Sequence, residues 1–173
     1  MKYRGLTVKD IYKYLDDIKE CYDSCSLVFD YQNSLRNMTE EGMAKFLSNF
    51  IEADDSVVVG IFDDNEIFLF GLIIFDNIRF LNKGAAQVHI INSRDVWGKP
   101  ILRVYNEIIE SCMFNILYCE IPAIAVGALG MVKRMGFKKT GYIPNALPYK
   151  NCKGESKMYD IQVWTWQKEE KKK

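Results

Sequence analysis

Histidine is nearly missing from this sequence: His89 is the only one among 173 residues. A catalytic triad or zinc site built on imidazole therefore has a single donor to draw on. Cysteine offers no replacement. Cys21, Cys25, Cys112, Cys119 and Cys152 are odd in number, widely spread, and form no CxxC pair. They read as reduced intracellular thiols rather than a disulfide framework, and no metal site is expected. Long apolar runs are missing too: the longest, 66–78, stops well short of the roughly 20 residues of a membrane helix. The start MKYRGLTVKD turns polar at once, unlike a secretion signal, so a cytoplasmic protein with no membrane partner is expected. Net charge is also lacking, with 23 basic residues against 23 acidic. That excludes nucleic-acid affinity resting on a broad basic face.

What is present is apolar material for a core: 49% of residues are hydrophobic. Its periodicity changes along the chain. MKYRGLT predicts a first strand. Val8, Ile11, Leu15, Ile18 and Tyr22 then recur at helical spacing and predict one amphipathic helix. Thr7 is placed as its N-cap, with Asp10 completing a box-like pattern. Thr39 caps a second helix, whose stripe is Met43, Phe46, Leu47 and Phe50. The segment 26–38 between them reads as a loop or a short helix.

SVVVGIF, IFLFGLIIFDNIRFL and AAQVHIINS follow as three strands. Their links are too short for parallel crossovers, so they predict an antiparallel meander. ILRVYNEIIESCMF is a helix, NILYCEIP a strand, and AIAVGALGMVKRM a helix ending at Gly136, which suits the C′ position. The rest reads as strand, long turn over 142–159, strand. The expected fold class is α/β: one domain over 1–166, a mixed but mostly antiparallel sheet flanked by helices. The element order is β-α-α-β-β-β-α-β-α-β-β, and 167–173 form a charged, frayed tail.

The stretch SRDVWGKPIL, 93–102, joins the fourth strand to a helix. A diphosphate needs several backbone N–H donors converging at a helix start, where the dipole favours negative charge. Glycine allows close approach. Here there is one glycine, Gly98, and Pro100 removes an N–H just after it. Two readings fit these residues: a reduced phosphate cradle, or an ordinary strand-to-helix turn with proline in the first helical turn.

AAQVHIIN, SRDVWGKP and ILRVYNEIIESC together resemble the acetyl-CoA-binding segment of the GNAT family of N-acetyltransferases. GALGMVKRMGFKKTGY resembles that family's next helix and turn, and KMYDIQVW its last strand. The last third is also similar to acetyltransferase-like proteins of bacteriophages. The resemblance implies acetyl-CoA as donor, an amine as acceptor, and direct transfer with no covalent enzyme intermediate. It places the donor along Ile90, Ile91, Arg94, Val96, Trp97, Gly98, Lys99, Ile101 and Arg103. The family's loop reads Q/R-x-x-G-x-G/A; aligned on Gly98, it sets Asp95 where Gln or Arg is usual and Pro100 at the last position. Arg94, Lys99 and Arg103 are the cations able to compensate.

The resemblance also sets Val132 at the position of the family's thiolate-protonating tyrosine, and Ala125 at that of an asparagine. The replacement candidates for catalysis are His89 in the fourth strand, Glu120 at the end of the fifth, and Tyr142 or Tyr159 as an acid. Imidazole, titrating near 6.5, suits a general base; the plainer readings are a core histidine, a solvated strand-end charge and packing aromatics. The alternative function is a catalytically inactive structural or interaction protein, such as a virion or assembly component. Its partners would be a second copy of the chain or phage structural proteins.

Overall fold

The computed structural model describes residues 1–24, 38–79, 84–93, 98–150 and 156–168. One seven-stranded sheet organises them, in the order β1-β2-β3-β4-β5-β7-β6. The strands are β1 (Lys2–Gly5), β2 (Val57–Phe62), β3 (Leu69–Arg79), β4 (Ala85–Asn92), β5 (Ile116–Pro122), β6 (Lys138–Lys150) and β7 (Ser156–Gln167). The first four pair antiparallel; the short links between β2, β3 and β4 require it there, while β1 joins the edge of β2 after the helical segment between them. Only β4 and β5 are parallel, joined by the crossover through helix α4 (Lys99–Ser111).

Strand alternation distributes apolar side chains to two cores. Ile61, Ile73, Phe75, Ala86, Val88, Leu117 and Cys119 face α4 and α5 (Val126–Arg134). Val58, Phe62, Leu72, Ile74 and Ile91 face the other way, toward α1 (Val8–Lys13), α2 (Leu15–Ser24) and α3 (Glu40–Glu52). Both helix starts expected from Thr7 and Thr39 are capped. Thr7 Oγ1 accepts from Asp10 N–H while the Asp10 carboxylate accepts from Thr7 N–H, closing the capping box. Thr39 Oγ1 accepts from Gly42 N–H at 3.1 Å.

The single helix expected after Thr7 is instead two. The chain leaves helical geometry at Tyr14 (φ −111°, ψ 26°). There the Tyr14 hydroxyl donates to Glu66 C=O at 2.6 Å, and its ring tilts against Phe62 at 5.1 Å. A tertiary anchor thus interrupts a pattern whose spacing was helical throughout. The end of α5 matches its sequence. Gly136 takes φ +82°, its N–H donates to Lys133 C=O, and Phe137 N–H donates to Val132 C=O, a Schellman closure.

The long turn expected over 142–159 is mostly ribbon. β6 continues to Lys150 against β7, with an irregularity between Ile143 and Leu147 where Asn145 has φ +48°. Pro144 and Pro148 are compatible with this because β6 is the outer strand of the sheet. β7 lies inside, between β5 and β6, so its exposed face is not an edge available for pairing. Gln167 and Lys168, expected in the tail, belong with the sheet: Lys168 N–H donates to Asn115 C=O at 2.8 Å.

Candidate active site

β4 and β5 part company soon after they meet. Their register is Ala85↔Ile116, Ala86↔Leu117 and Gln87↔Tyr118, and it ends there. Beyond it, β4 runs on to Asn92 and β5 to Pro122 as diverging walls. The opening is lined by Val88, His89 and Ile90 from β4, Cys119, Glu120 and Ile121 from β5, and Met131 and Val132 from α5. Its cavity volume is about 60 Å³, well below the roughly 300–1,000 Å³ usual for a small-molecule site, so it is a narrow crevice between the two strands. Divergence explains the exposure along β4. His89 and Ile90 point to opposite faces, yet both are only half-buried, because the flank β5 would cover is open.

His89 and Glu120 follow Gln87 and Tyr118 by two residues, so they project from the same face of the sheet. Both line the cleft, one on each wall. The His89 ring has a partner: Nε2 lies 3.2 Å from Asp76 Oδ1 on β3. Tyr118 sits near this group. Burial is the main cause that raises its hydroxyl pKa, opposed by Arg79 and reinforced by Asp76 and Glu120. The Cys119 thiol faces the opposite side of β5. Burial first, and Glu120 second, push its pKa up to about 12. At neutral pH it is a thiol, not a nucleophile.

The end of β4 is held firmly. Ser93 N–H donates to Phe70 C=O at 3.0 Å, and Ser93 Oγ donates to Glu20 at 2.8 Å, tying α2 to the strand. Asn92 Nδ2 donates to Ser93 C=O. Arg94, Val96 and Trp97 lie outside the described residues. The chain resumes at Gly98, the N-cap of α4, with φ +102° and ψ −159°. That conformation is open to glycine and almost no other residue. No described atom lies within 4 Å of where a Cβ would stand. Within the helix ladder, Leu102 N–H reaches Gly98 C=O, whereas Gly98, Lys99 and Ile101 N–H precede the first turn's acceptors and Pro100 has none.

Several expected donor-site residues need correction at the level of the side chain. Ile101 is buried in the α4 core and Ile91 in the opposite core, so neither side chain reaches the cleft. Only their main chains remain for binding. Ile90 does line the cleft. Lys99 is exposed at the helix start, and Arg103 is exposed but bonded to Glu107 at 2.9 Å. Tyr142 is not brought to the site. It stands on β6, 62% exposed, with two strands' width between it and the cleft wall, and Lys139 over its ring. Tyr159 on β7 has Lys157 over its ring instead. Asp76 and Tyr118 were not singled out by sequence. The signal for Asp76 was the polar pair Asp76–Asn77 interrupting the apolar run of β3, in hairpin register with β4.

No protein-family model and no curated protein sequence matches the chain. Solved structures do. Spermidine N-acetyltransferase from Vibrio cholerae, in complex with CoA and spermine, superposes with a TM-score of 0.73 at 13% identity, covering 96% of this chain and 95% of that one. Ribosomal-protein-S5-alanine acetyltransferase from Vibrio fischeri gives 0.74 at 14% identity over 99% and 94%. An acetyltransferase of the GNAT family from Streptococcus pneumoniae gives 0.67 at 16% identity over 96% and 98%. From end to end, the chain has the GNAT fold.

Proposed function

We propose that the protein is an acetyl-CoA-dependent N-acetyltransferase acting on an amine. The observation carrying this reading is the divergence of β4 and β5 directly below the start of α4, in a chain with the GNAT fold. The donor fits what is there. The bare Cα of Gly98 admits close approach, and the first turn of a 13-residue helix offers N–H groups to a diphosphate. Lys99 adds positive charge at the same end. The edge of β4 over Val88–Ile91, past its last β5 partner, offers main-chain groups to an amide-bearing arm.

Acetyl-CoA supplies an activated acyl group, which passes to the amine nitrogen as the C–S bond breaks. The chain's own work is to remove a proton from the incoming ammonium and to keep water out. His89 and Glu120 are the groups on the cleft walls able to accept that proton. Cys119 stays protonated, which favours direct transfer over an acetyl-cysteine. The amine acceptor would approach from the sheet face that carries both His89 and Glu120.

A second reading is that the fold has lost catalysis and serves as a structural or interaction protein. Val132 favours it: an apolar side chain lines the cleft where the family resemblance sets a proton-donating tyrosine. Incubation with acetyl-CoA and a panel of polyamines, aminoglycosides and peptides, with detection of free thiol, separates the two. Acceptor-dependent thiol release supports the enzyme. Binding without release on any amine leaves the inactive reading standing.

A further inference from the structure

His89 is held by a residue that sequence patterning left unassigned. Asp76 and His89 sit on adjacent antiparallel strands, where Ile74 opposes His89 and Asp76 opposes Gln87. This diagonal placement is within reach of side chains of this length. It brings Asp76 Oδ1 to 3.2 Å from His89 Nε2. The strand is built to hold Asp76 there. Register slips just after it, between Asp76 and Arg79, and Asn77 takes φ +49°. Asn77 Nδ2 then donates to Gln87 Oε1 at 3.1 Å, pinning the irregular segment to β4. Irregularities of this kind re-aim side chains beside functional sites.

An ionised carboxylate only accepts hydrogen bonds. Facing Asp76, the neutral ring of His89 must therefore carry its proton on Nε2, which makes Nδ1 the basic nitrogen. A neutral imidazole without such a partner exchanges between two tautomers, only one of which presents a given nitrogen as a base.

We propose that Asp76 is a positioning residue: its carboxylate accepts the Nε2–H of His89 and so sets Nδ1 as the nitrogen that takes the proton from the incoming ammonium. The proposal rests on the transferase reading for the identity of that proton. Nδ1 gains one proton as the ammonium becomes a neutral amine, and Asp76 then faces the imidazolium without itself being protonated. The acylated nitrogen loses its surplus proton to the departing thiolate, and Nδ1 returns its own to solvent. Charge and protons balance.

The test uses the fact that His89 is the only histidine. Long-range proton–nitrogen correlation spectra of the ¹⁵N-labelled full chain, taken near pH 8, report one imidazole without assignment. In the unmodified protein the two ring nitrogens are expected at limiting shifts for a single Nε2–H tautomer. Asp76→Ala is expected to bring them toward a tautomeric average and to lower kcat about tenfold or more with acetyl-CoA binding retained, a loss short of removing the base itself. An averaged ring in the unmodified protein, or an Nδ1–H tautomer, overturns the proposal without any variant having to fold. An unchanged spectrum in a folded Asp76→Ala protein also overturns it. These readouts are independent of turnover, so a failed acetyl-CoA assay would sink the transferase reading and leave the tautomer result intact.

Discussion

Gln87 of β4 and Tyr118 of β5 are the last residues that the two parallel strands hold in register. The residues proposed to take part in transfer lie just past this pair. His89 and Glu120 stand two residues on, on walls that diverge, and the same divergence carries the end of β4 toward the start of α4. A sheet that stayed paired would bury both side chains and close the cleft.

His89→Ala should lower kcat about 100-fold or more, the usual size of a general-base effect, with acetyl-CoA affinity retained. Glu120→Gln is expected to have a smaller effect, because Glu120 is exposed on the opposite wall. Steady-state kinetics on both variants check the assignment. Unchanged kcat in His89→Ala would exclude His89 as the base.

Gly98→Ala should destabilise the protein by about 1–3 kcal/mol, the cost of forcing a side chain into a glycine-only conformation. Space is not the limit there, since no described atom crowds the position. Affinity for acetyl-CoA should fall with it, because relief of the strain moves the first N–H groups of α4. Chemical denaturation and a ligand titration measure the two effects separately.

Cys119 should resist alkylation by iodoacetamide in the native protein at pH 8. Its thiol pKa, pushed up to about 12 by burial and by Glu120, leaves almost no thiolate. Cys119→Ala should keep its acyl-transfer activity. Intact-mass analysis during turnover is expected to show no acetylated enzyme, and rapid labelling of Cys119 would contradict this picture.

The pairing of Arg4 with Asp10, at 2.8 Å, gives a stability prediction with a definite pH window. Hydrogen bonds from Arg4 are the largest cause holding the Asp10 carboxyl well below its ordinary value of 3.8, and Thr7 adds to the effect. A depressed folded pKa means the unfolded chain binds the proton first as pH falls. The stabilisation is therefore full above about pH 5 and is lost progressively below 3.8. Asp10→Ala should cost about 1–2 kcal/mol at pH 7, through the capping box and the ion pair, and less at pH 3. Thermal unfolding of both proteins across that range measures the difference.

The parts of this fold legible in sequence were those set by local chemistry. Thr7 with Asp10, and Thr39, announced two helix starts, Gly136 a helix end, and the short links a meander. What stayed hidden depends on distant partners. The break at Tyr14 comes from a bond to Glu66, 52 residues away, and cannot be seen in a stripe that keeps helical spacing through it. Pro144 and Pro148 signalled a turn, but an outer strand tolerates both. His89 and Glu120 were legible as strand residues near a ligand loop. Asp76 was not, because its role depends on the β3–β4 register and on an irregularity that no single residue type reveals.

On the reading proposed here, the cleft beyond Gln87 and Tyr118, opening toward α4, holds acetyl-CoA. Isothermal titration of the full chain with acetyl-CoA, repeated on Gly98→Trp, decides the matter. Saturable one-site binding is expected, matched by a thermal shift worth about 2.7 kcal/mol at 100 times Kd, and lost in a folded Gly98→Trp protein. No heat and no shift at millimolar acetyl-CoA, or equal binding by Gly98→Trp, would contradict it.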